Sequence, residues 1–164
     1  MKSSSLVPAL PQTPAAFTFQ FGLNAWAEAP EEFMSVKKNG LAWAGVPEMH
    51  LNKATSTLTL LGIANRPADE EVLILKLKFD GPGTYSLTKQ QAYYYTTAKG
   101  HVLTSAYELA SCAAGVLEIS GYDPAEMLLE GSFRMVLTKE QDGPETNAEA
   151  VAFTEGRFRG RVTI

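Results

Sequence analysis

Single-residue alternation of apolar and polar side chains dominates this chain, and it is clearest near the C-terminal end. Residues 129–137 (LEGSFRMVL) and 153–162 (FTEGRFRGRV) each alternate, and a polar, acidic stretch joins them. Successive side chains in a strand point to opposite faces, so such runs predict half-buried strands with one dry and one wet face. Two of them joined by a polar loop predict an antiparallel pair. Phe153 and Phe158 have opposite parity. A regular strand cannot bury both on one face, so a bulge near Glu155-Gly156 is expected to reset the register.

The same period recurs upstream. Asn39-Gly40 lies between alternating runs over residues 33–43. This is the cue for a two-residue hairpin, because a type I′ turn needs positive φ at both central residues. Trp43 falls on the returning strand. Residues 57–63 read as a strand that ends at Asn65-Arg66-Pro67. Over residues 72–79, Leu73, Leu75, Leu77 and Phe79 share one face, while Lys76 and Lys78 take the other. Asp80-Gly81-Pro82-Gly83 predicts a turn, and residues 84–87 resume the strand. Residues 92–97 and 101–105 flank Lys99-Gly100 and predict a further hairpin. In residues 114–122, Leu117 and Ile119 point inward and Glu118 and Ser120 outward, with Asp123-Pro124 closing that strand. Turn signals every ~8–12 residues suit a sandwich or barrel rather than βαβ units. The expected fold is all-β: an antiparallel β-sandwich or flattened β-barrel of about eight to ten strands, with little helix.

The first residues depart from this pattern. Residues 1–16 hold three prolines and three consecutive serines without periodicity, and read as a flexible leader. Residues 17–164 then form a single all-β domain. Phe17, Phe19 and Phe21 alternate with polar neighbours and predict one more strand. Residues 26–33 suit either a short helix, with Pro30-Glu31-Glu32 in its first turn, or a plain connection.

Composition narrows the partners. A chain of 164 residues with 45% apolar content fits one domain with a core of its own. The net charge of −4 offers no excess of positive charge for phosphates, so nucleic acid is not an expected partner. A lone cysteine, Cys112, allows no intramolecular disulfide and reads as a small buried hydrophobe. No window of ~18 apolar residues is present, so no transmembrane helix is expected. The apolar run near residue 1 is shorter than the ~7–15 residues of a signal-peptide core.

Candidate chemistry is sparse. His50 and His101 are the only histidines and lie in no ligand-spaced cluster, so no metal site is expected. No Gly-x-Ser-x-Gly elbow and no phosphate-cradling glycine loop appear, so no cofactor and no catalytic residue are assigned. Glycoside hydrolysis would need two carboxylates ~5–9 Å apart, for which Glu130 and Glu155 are the candidates on strands expected to pair. Tyr93 and Tyr95 share one face of a strand and Tyr94 takes the other. An exposed pair would make an aromatic platform for a sugar ring or a peptide. Arg157, Arg159 and Arg161 alternate on one face, a stripe that would suit an anionic partner such as an acidic polysaccharide. The competing reading is an edge strand protected by charge.

Several of these motifs occur together in order. They are Asn39-Gly40 with Trp43, Gly81-Pro82-Gly83-Thr84-Tyr85-Ser86-Leu87, Gly115-Val116-Leu117-Glu118-Ile119, Glu130-Gly131-Ser132-Phe133 and Thr154-Glu155-Gly156-Arg157-Phe158. With this spacing, residues 33–164 resemble an uncharacterised family of Bacteroidetes cell-envelope lipoproteins. The resemblance implies an exported all-β domain without established activity. The chain departs from that pattern in having no lipid-acceptor cysteine near residue 1. The expected function is a non-enzymatic envelope module that binds a glycan, peptide or protein partner, or serves a structural role. The alternatives are a barrel carrying a small apolar ligand and a carboxylate-dependent hydrolase.

Overall fold

The computed structural model describes residues 32–98, 102–109, 115–139 and 149–164. These residues form ten strands and no helix. The strands are β1 (Phe33–Lys38), β2 (Leu41–Asn52), β3 (Thr57–Asn65), β4 (Asp69–Lys78), β5 (Gly83–Leu87), β6 (Ala92–Ala98), β7 (Val102–Leu109), β8 (Gly115–Asp123), β9 (Leu128–Lys139) and β10 (Ala150–Thr163). The leader, the strand at residues 17–21, the helix or connection up to residue 31, Lys99-Gly100, His101, Cys112 and the loop at residues 140–148 lie outside the described residues. No described helix is long and apolar enough to cross a membrane.

All ten strands belong to one sheet that curls until it meets itself. The ring runs β10-β2-β3-β4-β6-β7-β9 and back to β10. β1 wedges between β10 and β2, while β8 and then β5 branch from β9. The result is a flattened, irregular barrel. The ring closes weakly at two places. β7 meets β9 only over Tyr107–Leu109, and β10 meets β2 only at Val162↔Met49 and Thr163↔His50. That last pairing is parallel, while the other strand pairs of this all-β fold are antiparallel as expected.

Local chemistry sets the register. Asn39 (φ 50) and Gly40 (φ 79) make the turn expected between β1 and β2. Asn39 also fixes the hairpin to β10, since its Oδ1 accepts the Ala152 N–H at 2.8 Å. In β10 the register against β9 shifts between Phe153 and Gly156, so both phenylalanines enter the core, at 0% and 1% exposure. The bulge conformation falls on Glu155 (φ 55), not on the glycine. Gly156 serves close packing instead, because a Cβ there would lie 2.6 Å from the Phe133 ring.

Alternate residues fill the inside of the ring. Met34, Leu60, Leu73, Leu75, Leu117, Leu137 and the two phenylalanines are all essentially inaccessible. Burial of this kind contributes about 25 cal/mol per Å² of apolar surface removed from water. Gly131 marks the tightest crossing of β8 over β9, where an added Cβ would lie 2.0 Å from the Glu118 carbonyl oxygen and 2.7 Å from Phe158. A backbone oxygen cannot swing aside as a side chain can. We therefore expect Gly131→Ala to lower stability by about 3 kcal/mol or more in urea unfolding, the upper end of overpacking costs. Gly40→Ala meets no atoms and strains only the turn, so it is expected to cost about 1 kcal/mol.

Candidate functional site

The outer face of the ring carries the most distinctive surface. Strand registers align its outward side chains in rows. One row runs Val46–Ile63–Val72–Tyr95–Ala106 across β2, β3, β4, β6 and β7. The next runs Glu48–Leu61–Ile74–Tyr93–Glu108. Together they form an apolar belt with an acid at each end of the second row. Polar rows bound it on both sides, Asn65–Glu70–Thr97 and His50–Thr59–Lys76. A wet outer face was the expectation for β4. Lys76 and Lys78 obey it, but Val72 is only 2% exposed and Ile74 is half-buried.

Tyr93 and Tyr95 lie in this belt, both half-buried, while Tyr94 points into the core. The belt runs into a solvent-open groove of about 980 Å³ lined by Phe33, Ala44, Val46, Pro47, Ile63 and Arg66. The groove forms because β2 leaves β3 here. Their pairing stops at Val46↔Ile63, after which β2 pairs with β1 and β3 continues beside β4 alone. Val46 remains 65% exposed at the junction.

Side chains bridge the separated strands from within. Glu71 on β4, 5% exposed, is the buried acid of the described core. Its Oε2 accepts hydrogen bonds from Trp43 Nε1 at 2.7 Å, Lys38 Nζ at 2.7 Å and the Tyr94 hydroxyl at 2.8 Å. Arg66 Nε approaches Oε1 at 2.9 Å. Lys38 also donates to the Tyr94 oxygen at 2.9 Å and lies 5.2 Å from the ring centroid. Burial opposes the charge on Glu71, but the donors Lys38 and Tyr94 and the charges of Lys38 and Arg66 outweigh it and hold the carboxyl below its usual range. Burial, reinforced by the Glu71 carboxylate, pushes the Tyr94 hydroxyl far above its usual value. The sequence signal for this cluster is phase. Glu71 shares parity with Leu73, Leu75 and Leu77, and Lys38 shares it with Met34 and Val36. An acid and a lysine on the inward phase must be paired.

The other candidates are dispersed. Arg157, Arg159 and Arg161 do share the outward face of β10, but β10 is paired on both sides and is not an edge. The stripe is not a uniform cationic surface. Arg159 lies 3.9 Å from Glu130, and Arg161 lies 3.7 Å from Glu32 and 3.9 Å from Glu126. The arginines and the tyrosines sit on separate arcs of the ring, so they do not form one site. Glu130 and Glu155 lie on neighbouring strands and have separate partners. Glu130 faces Arg159, whereas Glu155 sits in the bulge and bonds Lys37 at 2.8 Å. His50 is exposed on β2, its Nδ1 3.2 Å from the Thr163 hydroxyl. Among the described residues no three His, Cys, Asp or Glu side chains converge.

A family model described as a domain of unknown function, DUF6252, matches residues 31–160, which takes in β1 to β9 and most of β10. The chain belongs to the DUF6252 family. No curated protein matches it, and no solved structure does. In this DUF6252 domain the Glu71 cluster lies inside the ring, and the apolar belt and groove lie outside it.

The Glu71 cluster makes the domain's stability depend on pH. Because the folded carboxyl titrates lower than the unfolded one, its contribution is complete above about pH 4.3 and is lost as pH falls through the folded value. For Tyr94 the folded value is raised, so its contribution is complete below about pH 10 and declines above it. We expect Glu71→Gln to cost about 3 kcal/mol at pH 7, in the range for breaking a buried pair, and to flatten the acid limb of stability measured by urea unfolding across pH. Arg66→Ala removes a half-exposed partner and should cost about 1 kcal/mol.

Proposed function

We propose that this DUF6252 domain is a non-enzymatic binding module of the cell envelope, and that it engages the apolar side of a protein or peptide partner through the belt around Tyr93 and Tyr95. One observation carries the reading: two adjacent outward rows cross five strands of the ring, the first aliphatic and aromatic throughout and the second on its three middle strands. Val46 is exposed and Leu61, Ile63, Ile74, Tyr93 and Tyr95 are half-buried around the buried Val72, and outer apolar surface of this kind marks interaction sites. Tyrosine supplies large, rigid area with a polar tip, which suits a contact that must also tolerate water.

The belt favours a protein over a sugar. A sugar site needs polar groups around its stacking ring, but the strand neighbours of Tyr95 are Val72 and Ala106, and Tyr93 has Ile74 on one side and a single polar neighbour, Glu108, on the other. Glu48 at one end favours a partner with a basic residue beside its apolar strip, while Glu108 at the other is already held by Lys89 at 3.5 Å. The envelope location rests on the resemblance of the turn and strand motifs to exported lipoprotein domains.

The test uses peptides with leucines at alternate positions flanked by lysines, titrated into labelled protein and read by amide shifts. The expected result is perturbation confined to β2, β3, β4, β6 and β7. Tyr93→Ala with Tyr95→Ala should weaken binding at least tenfold, since each central aromatic contributes about 2 kcal/mol. Tyrosine-dependent binding to neutral sugars on a glycan array, without peptide binding, would move the reading to carbohydrate. Recovery of the full-length protein in the cytosolic fraction of its host would remove the envelope assignment.

A further inference from the structure

A second concave surface lies on the opposite arc of the ring. It is a cleft of about 780 Å³ lined by Thr84, Glu118, Ser132, Arg134, Glu155 and Arg157, within the size of small-ligand sites. The registers explain how four strands build it. Thr84 on β5 faces Glu118 on β8, Glu118 faces Ser132 on β9, and Ser132 faces Arg157 on β10. Arg134 stands one outward position along β9, opposite Val116. The bulge at Glu155 shapes the remaining wall, and Gly156, with no side chain, leaves the Phe133 ring at the base.

The charges in this cleft are unevenly satisfied. Glu155 is held by Lys37 at 2.8 Å. Arg157 and Arg134 have no ion pair among the described residues, in contrast to Arg159 and Arg161 on the same strand as Arg157. Two guanidinium groups therefore face one cleft, opposed by Glu118, the acid of its lining without an ion pair among the described residues. Guanidinium groups bind carboxylates through paired N–H donors in a fixed planar geometry. Ser132 and Thr84 add hydroxyls that donate and accept, and Glu118 adds an acceptor.

We propose that this cleft binds an acidic saccharide. Arg134 and Arg157 hold its carboxylate, and Ser132, Thr84 and Glu118 engage the neighbouring hydroxyls. The mixture is what distinguishes the site from a plain anion patch. Guanidinium groups alone would suit any phosphate or sulfate, whereas an acid beside them disfavours a bare anion and favours a ligand that also brings hydroxyl donors. The site is independent of the apolar belt, so either proposal can fail without the other.

The experiment titrates trigalacturonate, maltotriose and inorganic sulfate into the full chain by calorimetry and amide shifts. Trigalacturonate is expected to bind, with shifts on β8, β9 and β10 and an affinity that falls as salt rises. Maltotriose and sulfate are expected to bind at least tenfold more weakly. Arg134→Gln and Arg157→Gln should each reduce trigalacturonate affinity about tenfold, and the double variant should abolish it. Both side chains are exposed, so the variants should keep the wild-type unfolding midpoint. Arg159→Gln, which alters a paired arginine outside the cleft, should leave affinity unchanged. Sulfate binding as tightly as trigalacturonate would reduce the cleft to an anion patch and overturn the saccharide assignment. Absence of trigalacturonate binding, or binding indifferent to both cleft arginines, would overturn the site.

Discussion

The Glu71 carboxylate occupies the place where the sheet stops holding itself together by backbone pairing. Beyond Val46↔Ile63 the β1–β2 hairpin turns away from β3, and Ala64 and Asn65 have ladder partners only in β4. Three donors from three strands converge on one oxygen of Glu71: Lys38 from β1, Trp43 from β2 and Tyr94 from β6. Side-chain hydrogen bonds thus replace main-chain ones at this end of the ring. The arrangement stabilises only as a whole, because removing any one donor leaves charge or polarity unsatisfied in a site with almost no water. The groove outside and the network inside are two consequences of the same divergence.

A second constraint acts at the other side of the molecule. β10 must pair with β9 along nearly all its length and still deliver Phe153 and Phe158 to the same interior. One extra residue achieves this, and its cost is carried by Glu155 in a left-handed conformation. Close approach between strands then demands small residues on the partner positions, so Gly156 meets Phe133, and Gly131 meets the β8 backbone. The bulge also turns Glu155 outward toward Lys37, which is how a packing solution shapes the wall of the charged cleft.

Much of this was legible in the residues alone, for reasons that can be named. The Asn39-Gly40 turn is encoded by two residues that accept positive φ, and the bulge by the parity of two phenylalanines. Both are local, so no tertiary knowledge was needed. The Glu71 cluster was hidden because β4 starts earlier than its run of leucines suggests, and the acid preceding Val72 read as a boundary rather than an inward position. The apolar belt was hidden because no single strand reveals it. Val72 and Ile74 look like part of one apolar run, and only the alignment of five strands shows that their outward neighbours are apolar too. The arginine stripe was read correctly for direction but not for environment, since its ion-pair partners Glu32, Glu126 and Glu130 come from outside β10.

Where function resides in such a fold follows from what occupies its inside. Large apolar side chains with essentially no exposure fill the ring, and the grooves lined by described residues open outward. The accessible surface is therefore the outside of the ring, where strands hold side chains in fixed rows about 4.8 Å apart. That geometry presents repeated, rigid contacts. The two outer surfaces differ in chemistry, one apolar and aromatic on β2, β3, β4, β6 and β7, the other charged and hydroxylated on β5, β8, β9 and β10. They share no strand, yet both rest on the same core.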